Sequence, residues 1–418
     1  SDFLLELYSE EIPAGMQARG VNDLARLIKE HLDEYGVDAA QTSTYVAPQR
    51  MAVTIANLPG RTPDRHEQKK GPRVDAPEKA IQGFLRANDL VSTDDLQVHD
   101  DPKGPYYLLD ILAPGQDTAS VLAACLPDII RNFPWPKSMR WGAGTLRWVR
   151  PLRGLTSCFG ENVIDFEVDG LRTSKVVRGH RFMAPETSVP VSAENYVETL
   201  MQAKVMVDAS ARAQAIENAA RRLAEEKDCM LVDDPALVIE TAGLVEWPVP
   251  LLGRIDDAFM DVPDEVLTSV MRTHQKYFSL KNPKTNKLAP YFITIANIET
   301  ADQGAAIIAG NARVLRARLS DGRFFWDQDR KTSLEARVPA LEKIVFHARL
   351  GTVAEKTVRL EKLAADLSGL LGADAASAGM AARLCKADLV SGMVYEFPEL
   401  QGIMGGYYAD NDGLDASV

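Results

Sequence analysis

The spacing of apolar residues changes along the chain, and these changes predict alternating strands and helices. The opening FLLELYSEEIP reads as a strand that ends near Pro13. Residues 16–35 then repeat apolar side chains at every third or fourth position, as on one face of a helix. Two short strands follow with a break at Ala47 and Pro48, because the residue before a proline is driven out of helical geometry. The N-terminal region is therefore predicted to mix α and β structure.

The remaining pattern predicts further mixed structure and then helices alone. The predicted elements are a surface loop at 60–77, helices at 78–90 and 119–131, a β-rich stretch at 155–170, an unbroken helix at 195–227, mixed strands and helices at 233–297, and helices at 334–350, 353–371 and 375–395. The predicted fold class is α+β and multidomain. Its domains are an N-terminal α+β domain at 1–130, a central α+β part at 131–331 and an all-helical domain at 332–418.

Composition places the chain among globular proteins of a reducing compartment. Apolar residues make up 46% and charged residues 25%, and no run approaches the ~20 apolar residues that cross a bilayer. The four cysteines are scattered without CxxC spacing, which fits reduced thiols better than a disulfide framework or a zinc site. We therefore expect a cytoplasmic protein that has no membrane partner and no bound metal.

Charge is distributed unevenly along the chain. The net charge is −12, so the field of the whole molecule repels phosphate. Residues 131–181, by contrast, hold ten Lys or Arg and four acidic residues. Such a local basic surface suits the binding of one folded RNA through its backbone, and it equally suits docking onto an acidic partner subunit. Charge alone leaves both possibilities open.

The stretch GNARVLRARLSDGRFFWDQD carries the most distinctive cationic pattern. At helical spacing, Arg313, Arg316 and Arg323 share one face beside an apolar stripe. Guanidinium groups on a packed helix suit phosphate oxygens, which they bind through paired hydrogen bonds. The alternative is an ordinary structural helix in which the arginines pair with acidic residues of the same stretch. Those acidic residues are Asp321, Asp327 and Asp329.

Two other stretches combine cations with aromatic residues. In MRTHQKYF, Arg272 and Lys276 lie four positions apart on a predicted helix and can straddle a phosphate. The alternative is that they cap a core made by the following Tyr277 and Phe278. PWPKSMRWG offers cations and tryptophans, which suit unpaired bases, a subunit contact or core packing. Its two cations are Lys137 and Arg140.

Several long strings together resemble one family. They are FLLELYSEEIPA, PKSMRWG, TAGLVEWPVPLLGRID, MRTHQKYF, GNARVLRARLSDGRFFWDQD and KADLVSGMVYEFPELQGIMGGYYA, and they occur in this order. The chain resembles the beta subunit of the bacterial two-subunit glycyl-tRNA synthetase. That family continues beyond the position of Val418 into a further helical region and an anticodon-binding domain, so the resemblance suggests a truncated chain.

The resemblance implies a role in a glycine–tRNA ligase. In that family the alpha subunit forms the aminoacyl adenylate, and the beta subunit binds tRNA(Gly) in an assembly expected to be α2β2. ATP is used by the complex, and no cofactor is expected in this chain, which has neither GxxxxGK[ST] nor GxGxxG. The predicted catalytic set is empty. The residues predicted to bind tRNA are Arg272, Lys276, Arg313, Arg316, Arg323, Lys137 and Arg140.

The resemblance also assigns relatives to the separate domains. The central part is similar to the core domain of the phenylalanyl-tRNA synthetase beta chain, and the helical part is similar to HD-type phosphohydrolases. His347 stands at the first ligand position of an HD site, but Lys386 occupies the dyad region and only Asp388 remains. We therefore expect a non-catalytic HD-like domain. The alternatives are a scaffold for the alpha subunit and an HD-type metal-dependent phosphohydrolase.

Overall fold

The chain folds into two compact units. A computed structural model describes residues 1–102 and 104–418. One unit comprises Ser1–Arg212 with Ala242–Trp247, and the other comprises Ala213–Thr241 with Pro248–Val418. Both contain helices and strands, which confirms a mixed, multidomain fold. The finer division predicted at residues 130 and 331 stays a prediction.

The strands and helices are numbered here in chain order. The strands are β1 (Phe3–Ser9), β2 (Thr42–Ala47), β3 (Arg50–Ile55), β4 (Arg65–Arg73), β5 (Gln97–His99), β6 (Tyr106–Ala113), β7 (Leu152–Phe159), β8 (Asn162–Val163), β9 (Glu167–Val168), β10 (Leu171–Arg172), β11 (Val176–Arg178), β12 (Ser188–Pro190), β13 (Met230–Leu231), β14 (Val249–Arg254), β15 (Phe278–Lys281), β16 (Leu288–Ala296), β17 (Val345–His347) and β18 (Gly351–Thr352). The helices are α1 (Ala14–Glu34), α2 (Glu78–Ala87), α3 (Thr118–Arg131), α4 (Tyr196–Gln202), α5 (Ala209–Glu225), α6 (Pro235–Ala242), α7 (Asp264–Ser269), α8 (Ala305–Asp329), α9 (Leu334–Arg337), α10 (Val353–Leu371), α11 (Ala375–Leu384), α12 (Gly392–Glu396) and α13 (Ile403–Asn411).

The first unit is built on a five-stranded antiparallel sheet in the order β2-β3-β1-β7-β8. Strand β1 is buried on both faces, because successive side chains point to opposite sides of a sheet. Phe3 and Leu5 join the core that includes Leu24 of α1 and Leu122 of α3. Leu4 joins a second cluster that covers the opposite face. Since Glu6 and Tyr8 alternate with Leu5 and Leu7, they share the face of Leu4.

The segment at 242–247 is held in the first unit by side chains that reach it from distant positions. Gln17 Nε2 donates to the Gly243 carbonyl at 2.6 Å, and Arg212 Nε donates to the Ala242 carbonyl at 2.9 Å. A Cβ on Gly243 would lie 2.6 Å from that of Ala14, so only glycine fits without a shift. Close packing and these hydrogen bonds therefore explain why alanine and glycine stand at the start of the TAGLVEW string.

The loop predicted at 60–77 is wrong, because residues 65–73 form β4. This strand pairs antiparallel with β6, whose other neighbour is β5. The small core below comes from Leu85, Leu96 and Leu109. The side chains of β4 from Gln68 to Lys70 are exposed, so backbone pairing forms the strand without an apolar pattern that sequence reasoning could detect.

The unbroken helix predicted at 195–227 is also wrong, because it is interrupted between α4 and α5. Lys204 adopts a left-handed conformation with φ of 62°. The Val205 amide donates a hydrogen bond to the Leu200 carbonyl at 2.8 Å, and such a bond is typical of helix ends. Val205 and Val207 are then buried in the second cluster of the sheet. Burial of this short apolar run ends the helix.

The second unit contains a four-stranded antiparallel sheet in the order β13-β15-β16-β14, with helices packed around a separate core.

The helix predicted at 334–350 is wrong beyond its first turns. Helix α9 leads into a 3₁₀ turn at Val338–Lys343, and β17 and β18 then form a hairpin. Gly351, with φ of 83°, supplies the left-handed residue of that hairpin. The part predicted to be all-helical therefore contains two strands.

Candidate nucleic-acid interface

Helix α8 carries the arginine face, and local capping and burial fix its position. Gly304 precedes it with φ of 84°, and a Cβ there would meet Leu251 at 2.6 Å. Asp302 Oδ2 accepts the Ala306 amide at 2.8 Å, as an acidic cap at a helix start does. Leu315 and Leu319 are buried on the inner side, which confirms the predicted apolar stripe. The helix is therefore a rigid support for its outer side chains.

The three predicted arginines of α8 have different surroundings. Arg323 is one-third exposed and bonds Asp261 Oδ1 at 2.5 Å and Asp327 Oδ2 at 3.3 Å. Arg316 is about two-thirds exposed and pairs with Asp256 Oδ2 at 2.9 Å. The exposed Arg313 guanidinium makes no hydrogen bond or ion pair within residues 1–102 and 104–418. Arg313 is thus the most available cation of the three, and Arg323 is the least available.

Arg313 and Arg316 are brought together at a pocket of about 260 Å³, here called the α8 pocket. Its polar rim also includes Arg254 and Asp256. Its apolar floor is formed by Ile255, Phe259, Leu315 and Leu319. Arg254 is also paired with Asp257, whose Oδ1 lies 2.8 Å from its Nη2. The three guanidinium groups are therefore balanced by two carboxylates, and the remaining single positive charge suits an anion with several acceptor oxygens. Arg254 is not among the residues predicted from the sequence, although it lies in the GRID string that ends one of the family-like stretches.

The alternative interpretation, in which these arginines pair with acidic residues of the same stretch, is confirmed at one position. Asp327 accepts from Arg323, whereas Arg316 has a partner in the distant Asp256. Asp329 is buried and serves the core instead: Arg337, the Gly392 and Met393 amides and the Tyr408 hydroxyl all donate to it. Among the residues that the structure describes, Asp321 pairs with none of the three arginines.

Arg272 and Lys276 are both neutralised by acidic residues next to or within α6. Arg272 bonds both carboxylate oxygens of Asp234, and its hydrogen bond lowers the pKa of Asp234. Lys276 Nζ lies 2.8 Å from Glu240 Oε1. The predicted α-helix ends early, because Val270–Gln275 is a π-helical turn and Lys276 is left-handed with φ of 59°. The alternative proposed for Tyr277 is confirmed, since it is a core residue, as is the following Phe278.

Lys137 and Arg140 lie on an exposed loop of the first unit, and their neighbouring tryptophans are partly buried against its core. Trp148 is fully buried and Trp135 packs against it edge to face, with ring centroids 5.3 Å apart. Mutual backbone bonds between Met139 and Trp148 pin the loop. Neither cation has an ion pair in the part of the chain that the structure describes. The aromatic rings therefore hold the loop, and the two cations remain available on it.

The two residues that the resemblance aligns with an HD-type site, His347 and Asp388, have separate partners. His347 is exposed in β17, and its Nδ1 accepts the Arg349 amide at 3.1 Å. Asp388 is fully buried, its Oδ2 accepts the Gly402 and Gly405 amides at the start of α13, and burial raises its pKa. No group of three or more His, Cys, Asp or Glu placed to hold a metal ion occurs among the described residues. Asp388 has the geometry of a helix cap.

None of the described helices combines the length and the apolar character that a membrane crossing requires.

Comparison with known proteins identifies the family. A family model described as "Glycyl-tRNA synthetase beta subunit" matches residues 3–418. The glycine–tRNA ligase beta subunit of Ruegeria sp. (strain TM1040) is 47% identical over 427 residues, which cover 100% of this chain and 62% of that protein. The beta subunit of Phenylobacterium zucineum (strain HLK1) is 48% identical over 419 residues, covering 99% of this chain and 62% of that protein.

A third relative gives the same result. The glycine–tRNA ligase beta subunit of Rhodospirillum centenum is 45% identical over 445 residues, covering 100% of this chain and 62% of that protein. The chain thus spans a little under two-thirds of the length of these relatives. With a family model that matches it from residue 3 to residue 418, the chain belongs to the glycyl-tRNA synthetase beta-subunit family.

Proposed function

We propose that this chain is the tRNA-binding, non-adenylating component of a glycine–tRNA ligase. It binds tRNA(Gly) and positions it for glycylation at the active site of an alpha subunit, which uses ATP. The observation that carries the proposal is the α8 pocket. There Arg313, which has no ion pair within the described residues, lies beside Arg316 on a capped and packed helix and near Arg254 of β14. Membership of the glycyl-tRNA synthetase beta-subunit family supports tRNA(Gly) as the RNA.

The contribution to catalysis is positional. Folded RNA is recognised largely by its shape and its phosphate backbone, and arginine forks on a rigid support match phosphate oxygens. Holding two reactants in the right orientation lowers a barrier by up to roughly 7–11 kcal/mol in favourable systems. A subunit that makes no adenylate can therefore still be required for charging.

The seven predicted contacts differ in how readily they reach RNA. Arg313, Lys137 and Arg140 are exposed and unpaired within the described residues. Arg316 exchanges one exposed acidic partner for a phosphate at little cost, since exposed ion pairs contribute only about 0–1 kcal/mol. Arg272, Lys276 and Arg323 hold neighbouring elements together and contribute less to binding.

We expect Arg313→Ala to weaken tRNA binding and to leave the melting temperature unchanged. Because one phosphate contact is lost, the slope of log affinity against log salt should flatten by roughly one unit, equally for different tRNA sequences. Arg323→Ala should do the reverse: it removes bonds to Asp261 and Asp327, lowers the melting temperature and leaves the slope unchanged. The measurements are tRNA affinity at several salt concentrations and thermal unfolding.

Arg318→Ala is the matched control, since Arg318 is exposed on the same helix and does not line the α8 pocket. Its salt slope should stay close to that of the unchanged chain. Equal slopes for the Arg313 and Arg318 variants would remove the α8 pocket from the interface.

The remaining assignments complete the proposal. We propose a cytoplasmic α2β2 assembly in which the helical C-terminal part is an HD-like, non-catalytic module. We also propose that the chain is divided into three domains, at residues 1–130, 131–331 and 332–418. A scaffold that binds only the alpha subunit is the second candidate. Lys137 and Arg140, which have no ion pair within the described residues, lie on a pinned loop and also suit an acidic protein partner. Salt-dependent tRNA binding by the isolated chain separates the two candidates.

A further inference from the structure

A second basic cleft lies at the end of β1, within the first unit. Tyr8 sits at a bulge where the pairing of β1 with β7 shifts. Around it, Arg153 comes from β7, Arg178 ends β11 and Arg181 follows shortly after. Two adjoining pockets of about 400 and 330 Å³ share Tyr8, Arg153 and Arg178 in their linings. We call the combined depression the β1 cleft.

The exposed charges of the β1 cleft are mostly positive. Glu10 accepts from Arg153 at 2.7 Å and from Arg181 at 3.1 Å, and the hydrogen bond from Arg153 lowers the pKa of Glu10. Arg178 lies over the Tyr8 ring, 5.4 Å from its centroid. Its guanidinium has no hydrogen bond or ion pair within the ranges that the structure describes. One carboxylate thus serves two arginines, and a third arginine is available.

The wall behind the cleft is fixed by a buried arginine. Arg50 lies 5.1 Å from the centroid of the Tyr8 ring, and its Nη1 donates to the Arg178 carbonyl at 3.0 Å. The side chain is completely buried and is balanced by Glu6 and Glu246. Tyr8 and the backbone of Arg178 are therefore held before any ligand arrives. Such preorganisation reduces the entropy lost on binding.

We propose that the β1 cleft binds a phosphate group, carried either by an RNA backbone or by a free nucleotide or pyrophosphate. Arg178 makes the first contact, and Arg153 and Arg181 turn part of their hydrogen-bonding capacity from Glu10 to the phosphate. Several guanidinium groups converging on a concave surface match the acceptor oxygens of one phosphate. This inference does not depend on the α8 pocket, which lies in the other unit.

Two substitutions with opposite expected effects on phosphate binding test the inference. Arg178→Gln should weaken phosphate binding by about tenfold, the effect of losing one charge-assisted hydrogen bond, and it should leave the melting temperature unchanged. Glu10→Gln should strengthen binding several-fold, because it removes the competing negative charge and frees two arginine forks. Arg86→Gln is the control, since Arg86 is exposed on α2 and does not line the cleft.

Binding of the whole chain is measured with two probes, inorganic pyrophosphate and a ten-nucleotide single-stranded RNA. If the substitutions change the affinity for the RNA but not for pyrophosphate, the ligand is a polynucleotide backbone. If they change the affinity for pyrophosphate, the ligand is a free phosphate compound. The inference is overturned if Arg178→Gln behaves like Arg86→Gln with both probes. It is also overturned if Glu10→Gln weakens binding while the chain stays folded, because Glu10 would then only brace the surface.

Discussion

Replacing Arg50 with Ala should lower the free energy of unfolding of the first unit by about 3–5 kcal/mol. Arg50 Nε bonds Glu246 Oε1 at 2.9 Å, and Nη1 lies 3.3 Å from Glu6 Oε2. Burial lowers the pKa of Arg50, and the two carboxylates more than offset this and raise it above its ordinary value. Removing the cation leaves two buried carboxylates without their main partner, and such groups are costly.

Urea unfolding followed by circular dichroism measures this loss. Arg26→Ala is the control, because Arg26 is an exposed arginine of α1 paired with Glu30 and Asp23, and its removal should leave the midpoint unchanged. The triple variant Arg50→Ala, Glu6→Gln and Glu246→Gln should be more stable than Arg50→Ala alone, because the two unpaired negative charges are gone. A midpoint for Arg50→Ala equal to that of the control would contradict the account of this cluster.

Replacing Asp329 with Asn should destabilise the second unit by about 3 kcal/mol or more. Asp329 Oδ1 accepts the Gly392 amide at 2.9 Å and Arg337 at 3.2 Å, and Oδ2 accepts the Met393 amide and the Tyr408 hydroxyl at 2.8 and 2.9 Å. Both oxygens are thus surrounded by donors. An Asn amide places its NH₂ group against one set of donors and loses the charge that pairs with Arg337.

Asp327→Asn is the matched control, because Asp327 lies two positions earlier on the same helix and is partly exposed. Its carboxylate accepts from Arg330 and Arg323, whose hydrogen bonds hold the pKa of Asp327 below its ordinary value. Asp327 therefore adds stability above the pH of an ordinary carboxyl titration and loses it as pH falls, to a degree that solvent screening keeps small. Thermal unfolding at pH 7 should show a much larger loss for Asp329→Asn. Equal losses would contradict the assigned roles.

The sequence predicted those elements whose side chains follow a strong period. Strand β1, helices α1, α2 and α3, and the break at Ala47 were all recovered, because apolar spacing and proline geometry act locally. Strand β4 is not predicted, since its sequence has no apolar period and its pairing with β6 is set by the backbone. The hairpin of β17 and β18 was missed because a short pairing around Gly351 overrode a helical pattern.

The candidate site was predicted as a set of cations but not as a set of available cations. Availability depends on partners that lie far away in sequence, such as Asp256 for Arg316 and Asp234 for Arg272. Of the three acidic residues in the same stretch, only Asp327 pairs with one of the predicted arginines. Tertiary structure therefore decides which cations of a basic pattern can reach a ligand.

The central claim is that this chain binds and positions tRNA(Gly) without forming the adenylate. Glycylation of tRNA(Gly) tests it most directly, measured with this chain alone, an alpha subunit alone and the two mixed. The account predicts no charging by this chain alone and, in the mixture, charging above that of the alpha subunit alone. Charging by this chain without an alpha subunit, or a mixture no faster than the alpha subunit alone, would contradict the account.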